Sequence, residues 1–278
     1  MKTTNVEPVV KSVEFPGRVT LQYVEQGDPE GTPVLFLHGI TDSWYSFEPV
    51  LPHLPASIRA FALSQRGHGD SGRPASGYYP LDFAADVAAF MDALKLKQAV
   101  IAGHSMGSYI AQRFALDYPE RLLGLVLMSS VFTFQGKQCM TEFRDAVSNL
   151  TDPVDRDFAL EFQQSTLANE VPQPFLETVV EESMKAPARV WRAALEGLLE
   201  TDNSAELSKI EAPTLIVWGD QDSYCPRGDQ EALRAAITGS RLLVYPGTGH
   251  ALHWEHPERF AADLAAFTRS LASRAQAS

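Results

Sequence analysis

The chain has 278 residues, 45% of them hydrophobic and 21% charged, with a formal net charge of −12. These proportions suit a soluble globule with a sizeable core, and the lack of any basic stretch to neutralise phosphates excludes nucleic acid as a partner. No apolar run approaches the ~20 residues that span a bilayer, and the N-terminal MKTTNVEPVV has no signal-type apolar core. The two cysteines, Cys139 and Cys225, lie far apart with no metal or redox spacing. A cytoplasmic protein without a membrane partner is expected, built as one large domain or as a domain with an insertion.

Strand-like runs at 19–24 and 34–37 flank the turn-rich segment 26–31. Strand and helix patterns then alternate. A strand at 59–63 is followed by a helix at 82–94, with Phe83, Val87, Phe90, Met91 and Leu94 at helical spacing. Next come a strand around Val100 and Ile101, a helix at 105–118 and a strand at 122–128. The nearly continuous apolar character of that last run suits a parallel sheet covered on both faces. The alternation breaks at 131–208. Amphipathic helical pieces at 155–166, 174–185 and 188–200 are punctuated there by prolines at 153, 172, 174 and 187. A disordered loop would leave Phe158, Phe162, Phe175 and Trp191 without a core, so a helical cap over the sheet's C-terminal edge is expected. The alternation resumes with a strand at 214–218, a helix near 229–236, a strand at 242–245 and a helix at 257–272. The expected fold class is α/β, a mostly parallel, doubly wound sheet flanked by helices. Residues 1–130 and 209–278 form its core and 131–208 the helical cap insertion.

Function in such a sheet collects at the C-terminal ends of strands. Four of those ends carry His38-Gly39-Ile40, Ser105, Gly219-Asp220-Gln221-Asp222 and Gly247-Thr248-Gly249-His250. A backbone turn, a hydroxyl, a carboxylate and an imidazole are the parts of nucleophilic acyl transfer. Ser105 lies in Gly103-His104-Ser105-Met106-Gly107, a G-x-S-x-G run between a strand pattern and a helix pattern. Small residues on both sides let the two backbones approach each other. The helix start places free N–H groups and a positive dipole end beside the serine oxygen. The competing reading of Ser105 is a helix cap.

Taken together these segments resemble the α/β-hydrolase fold family, with nucleophile, acid and histidine in that chain order, over about 19–267. The resemblance rests on His38-Gly39, on Gln65-Arg66-Gly67-His68-Gly69-Asp70-Ser71, on the Ser105 corner and on Gly219-Asp220-Gln221-Asp222. It continues in Gly249-His250, followed by Glu255, Pro257 and Phe260. The chain departs from the family at Ser64, usually Asp, and at Ser108, often a second Gly. Neither position is a catalytic group.

The resemblance implies Ser105 as nucleophile, His250 as general base, Asp222 as the acid that orients His250, and the N–H groups of Ile40 and Met106 as an oxyanion hole. The chemistry needs these types. A serine hydroxyl is a weak nucleophile until a base takes its proton, and imidazole, with an unperturbed pKa near ~6.5, can accept and return one. Asp220, closer to the strand end, competes with Asp222, and the resemblance makes Asp220 a turn former. Trp44, Phe132, Phe134, Trp191 and Trp254 fall in strand-end loops or the cap. They are expected to line an apolar substrate cavity, with ordinary packing as the competing reading. His250, His253 and His256 lack the spacing of a helix-borne ligand pair, so neither metal nor cofactor is expected. His253 and His256 are placed at the surface or the pocket wall. His38 and His104 are expected to tie down their loops, His68 to be structural, and Cys225 to be packing.

Relatives with alkyl-transfer chemistry carry aspartate where this chain has Ser105, and serine favours attack on a carbonyl. Hydrolysis of a carboxylic ester or lactone through an acyl-enzyme is therefore expected, with a small-molecule ester-type substrate as partner. The alternatives are a C–C bond hydrolase, a perhydrolase-type acyl transfer on the same residues, and a small-molecule receptor that uses the hydrolase pocket.

Overall fold

The computed structural model describes residues 9–275. The strands are β1 (Val10–Phe15), β2 (Val19–Gln26), β3 (Thr32–Leu37), β4 (Ile58–Ser64), β5 (Ala99–His104), β6 (Leu122–Met128), β7 (Thr214–Gly219) and β8 (Arg241–Tyr245). They form one sheet in the order β1-β2-β4-β3-β5-β6-β7-β8. The β1–β2 and β2–β4 pairs are antiparallel, and every pair from β4 to β8 is parallel. The helices are α1 (Pro80–Ala93), α2 (Met106–Asp117), α3 (Gln138–Ser148), α4 (Arg156–Ser165), α5 (Gln173–Met184), α6 (Ala188–Glu200), α7 (Arg227–Ala236), α8 (Leu252–Glu255) and α9 (Pro257–Ala275). None among the described residues is long and apolar enough to cross a membrane.

The central strands alternate their side chains between two separate cores, as the two-residue strand period demands. Leu35, Leu37, Ile101, Leu125, Leu127 and Ile216 join one core with α1 and α2. Val34, Phe36, Val100, Ala102, Val126 and Val217 join the other with Phe260 and Leu264 of α9. A strand apolar at every position is thus buried on both faces. Its C-terminal end can then carry polar groups without weakening the sheet.

Helices α3 to α6 all fall between β6 and β7. Strand β1, helix α3 and the short α8 are absent from the sequence expectation. β1 is an edge strand whose only buried residue is Phe15, so it shows no apolar alternation. Helix α3 buries only Met140 and Val147, too few to reveal a period.

Candidate active site

β5 ends at His104 and α2 begins at Met106, so Ser105 alone makes the reversal from strand to helix. Its backbone lies at φ 51° and ψ −116°. Such a conformation costs about 1–3 kcal/mol for a residue with a Cβ, so the surroundings must hold it. The Ser105 N–H donates to the Met128 carbonyl at the end of β6 (3.0 Å). The Ser105 carbonyl accepts from the Ser108 N–H (2.9 Å) and the Ser108 hydroxyl (2.6 Å). The serine that stands where the family often has glycine therefore fastens the corner. Close approach does the rest. A Cβ on Gly107 would sit 2.1 Å from the Leu37 carbonyl oxygen, and one on Gly103 equally close to the Gly107 carbonyl oxygen. Gly107→Ala is accordingly expected to lower unfolding free energy by about 3 kcal/mol, read as a lower urea midpoint with unchanged slope. An unshifted midpoint would mean that the corner has slack.

Asp222 and His250 meet beside this corner. Both carboxylate oxygens of Asp222 lie 2.9 Å from His250 Nδ1. Oδ1 also accepts from the N–H groups of Tyr224 and Cys225, each at 2.9 Å. Burial alone would push the Asp222 carboxyl up, but the His250 ring and the two backbone donors outweigh it and hold it below the usual carboxylate range. An ionised Asp222 fixes the proton on Nδ1 and leaves Nε2 as the bare nitrogen of the neutral ring. Asp220 is exposed and accepts the Gly247 N–H (2.7 Å), which shapes the turn before His250.

The backbone of His250 is held as firmly as its ring. Its carbonyl accepts from the Ser129 hydroxyl (2.6 Å) and lies 3.1 Å from His104 Nε2. Burial drives His104 down to about 3, so that ring is neutral and donates from Nε2. His38 plays a similar part, taking the Gln65 N–H on Nε2 (2.9 Å) with Nδ1 2.7 Å from the Gly39 carbonyl. His68 Nδ1 lies 2.8 Å from the Arg66 carbonyl. The Arg66 guanidinium is paired to the buried Asp86 carboxylate (2.5 and 2.6 Å). Ser64 accepts the Trp44 N–H (3.2 Å). Ser129 escaped the sequence reading, because it belongs to no motif and only its place just past β6 marks it.

Ser105 and His250 line one cavity with Ile40, and among the described residues no hydrogen bond joins Ser105 Oγ to the His250 ring. Such bonds are often long before substrate binds. Met106 opens α2, so its N–H has no acceptor within the helix. The Ile40 N–H donates to no backbone carbonyl among the described residues. Phe134, Met140, Phe143, Phe162, Leu195 and Leu198 supply the cavity's apolar walls. The cavity they enclose has a volume of about 40 Å³.

These walls correct the expected ones. Of Trp44, Phe132, Phe134, Trp191 and Trp254, only Phe134 faces the cavity. Trp191 is buried behind Phe162, with ring centroids 5.7 Å apart. Trp254 packs in a separate cluster with Phe175 and donates to the Ser46 carbonyl (2.9 Å). Trp44 and Phe132 pack against the two main cores. His253 is neither surface nor wall. It is fully buried, with Nε2 3.0 Å from the Ser46 hydroxyl.

Among the described residues, one group could hold a metal by position: ligand atoms of Asp222, Cys225 and His250 lie within 4.8 Å of one another. Their chemistry fits poorly. His250 Nδ1 and Asp222 already satisfy each other. The Cys225 thiol, pushed well up by burial, donates to the Ser129 carbonyl (3.0 Å). A metal ligand there would first need a thiolate.

The family model of the alpha/beta hydrolase fold matches residues 32–257, and the chain belongs to this hydrolase family. Non-heme chloroperoxidase of Streptomyces lividans is 29% identical over 269 residues, which cover 89% of this chain and 95% of the relative. The 2-hydroxymuconate semialdehyde hydrolase of a Pseudomonas species is 28% identical over 247 residues, 83% of this chain and 84% of the relative. A thermophilic esterase from Thermogutta terrifontis superposes with a TM-score of 0.80 at 26% identity, covering 96% of this chain and 99% of the esterase.

Proposed function

We propose that the protein hydrolyses neutral, apolar carboxylic esters or lactones through an acyl-enzyme on Ser105. The observation that carries this reading is the shared cavity: a serine on a strained corner and a histidine whose Nδ1 is 2.9 Å from Asp222 line the same apolar space. Ser105 Oγ attacks the carbonyl carbon as its proton passes to His250 Nε2. The N–H groups of Ile40 and Met106 receive the oxyanion. The tetrahedral intermediate then expels the alkoxide, which takes the proton from His250. Water repeats the sequence on the acyl-enzyme and frees the acid. Asp222 stays ionised and stabilises the imidazolium in each half-reaction. The helices of 131–208 act as a cap that keeps bulk water from these steps.

Substrate class follows from the walls. No lysine, arginine or carboxylate lines the cavity, so a charged acyl group would lose its hydration with nothing in return. This argues against a C–C substrate that carries a carboxylate into the pocket. A second reading, acyl transfer to peroxide, draws support from the chloroperoxidase relative.

A panel of nitrophenyl esters tests the proposal. Acetate and butyrate esters are expected to exceed a succinate half-ester by about a hundredfold in kcat/KM, with an acyl or phosphonyl adduct on Ser105 by intact mass. Peroxide-dependent halogenation in acetate buffer at the expense of hydrolysis would favour the second reading. Equal rates on the charged ester would refute the apolar specificity, and a missing adduct with no turnover would refute the serine mechanism.

A further inference from the structure

One short stretch of the inserted helices touches the loops of three strand ends. Gln163, near the end of α4 and 1% exposed, donates from Nε2 to Asp42 Oδ1 (2.9 Å) and to Ser183 Oγ (2.7 Å), with Thr41 Oγ1 at 3.4 Å. Ser165 Oγ lies 2.6 Å from the Tyr224 hydroxyl, two residues beyond Asp222. The Thr166 carbonyl accepts the Ala251 N–H (3.0 Å), and the Ala168 N–H donates to Glu255 (2.9 Å).

The contact at Gln163 falls on strained backbone. Residues 39–42 form a turn closed by the Asp42 N–H on the Gly39 carbonyl (3.3 Å). Thr41 occupies it at φ 72°. A β-branched residue in the left-handed region is a true outlier, where glycine would sit without cost. Such strain persists only when the surroundings over-determine it. Here the Thr41 hydroxyl and the Asp42 carboxylate both meet the Gln163 amide. Both residues are buried, so bulk water does not compete with that amide. Relaxation at Thr41 would re-aim the peptide units on either side, and Ile40 is the residue just before it.

We propose that Gln163 is a positioning residue: its amide, carried by α4, holds the 39–42 turn in the shape that presents the Ile40 N–H to the reacting carbonyl oxygen. This rests on the serine-ester reading above. Half of the oxyanion hole, Met106, then belongs to the central sheet's own corner, while the other half is clamped from the insertion. Ser183 backs the clamp. Its hydroxyl accepts from Gln163 and donates to the Val179 carbonyl (2.9 Å), which ties α4 to α5 at this point.

Gln163→Met keeps the length of the side chain and removes its N–H groups. Its kcat on nitrophenyl butyrate is expected to fall about 30-fold or more with KM within about twofold, the mark of an interaction made in the transition state. Affinity for an aryl trifluoromethyl ketone, whose hemiketal oxygen needs the hole, should fall by the same factor. A purely structural role would lower the thermal midpoint and leave both quantities unchanged in the folded protein. A folded Gln163→Met protein with wild-type ketone affinity, or one that loses only KM, overturns the proposal. Should that variant not fold, Ser183→Ala decides. It leaves the Gln163–Asp42 bond and should show a smaller parallel loss, about three- to tenfold, and wild-type values for both quantities overturn the proposal. Wild-type protein that neither cleaves esters nor forms a hemiketal on Ser105 sinks the serine reading and this inference together. Wild-type protein that does both, matched by Gln163→Met, sinks this inference alone.

Discussion

Alanine at Ser105 is expected to lower kcat on a nitrophenyl ester by about five to six orders of magnitude, leaving a residue of about 10³–10⁴ over water from the oxyanion donors and binding alone. On the proposed mechanism Ser105 and His250 work as one unit, so removing either removes both. His250→Ala should cost about as much, and the double variant little more. Glycine at the same position separates chemistry from strain. Ser105→Gly should be as inactive as the alanine variant, yet gain about 1–3 kcal/mol of stability, because the backbone at φ 51° no longer opposes a Cβ. Stopped assays on the single and double variants, with urea unfolding of the glycine variant, check both halves. Additive losses in the double variant would mean that the two side chains act separately. A glycine variant no more stable than wild type would mean that the corner is not strained.

Acidification from pH 7 to 5 is expected to remove several kcal/mol of folding stability, a large part of what a typical domain has. Four histidines cause this. Burial sets His38 and His253 well below the imidazole range, His68 at about 4 and His104 at about 3. In the unfolded chain each binds its proton near pH ~6.5, whereas the folded chain must wait until far lower pH. Between those values the unfolded state holds more protons, so stability is fully present above the unfolded value and is lost as pH falls below it. Asp42 works the other way. Burial outweighs its hydrogen bonds to Gln163 and Ser46 and raises it to about 6, so the folded state takes up that proton first. The depressed histidines outnumber this one raised carboxyl, so the unfolded state still binds more protons and stability falls as pH drops below ~6. Urea midpoints measured from pH 7.5 to 4.5 read this loss, and midpoints that hold level down to pH 5 would contradict it. Of these histidines, His104 holds the His250 carbonyl, while His38, His68 and His253 fasten the backbone or side chains at Gly39, Arg66 and Ser46.

Much of this arrangement was legible in the amino-acid order, for reasons that differ by element. Strands β5, β6 and β7 are apolar at nearly every position because both faces are covered, and that signal is local. The corner at Ser105 is equally local, because Gly103 and Gly107 answer to backbone crowding within a few residues. Asp222 and His250 lie in the short loops that follow β7 and β8, which made them readable as strand-end residues. The cavity walls were not readable in this way. Trp191, Leu195 and Leu198 share one face of α6, yet only the two leucines reach the cavity, because Phe162 from another helix intervenes in front of the tryptophan. Helix docking decides that, and no periodicity within α6 contains it. Trp254 and His253 are buried away from the cavity because α8 inserts them beneath the loop that carries Ser46. Edge strand β1 stayed hidden for the opposite reason, since an exposed strand needs no pattern.

The seven residues from Gln163 to Asn169 fasten to the loops bearing Ile40, Asp222 and His250. In this chain the 163–169 stretch is bonded to the strand-end loops that carry the proposed catalytic residues. Replacing the 131–208 helices would therefore remove the braces of the proposed reaction centre along with the cavity walls. Engineering of selectivity here belongs on Phe143, Leu195 and Leu198, which face the cavity and leave those braces alone.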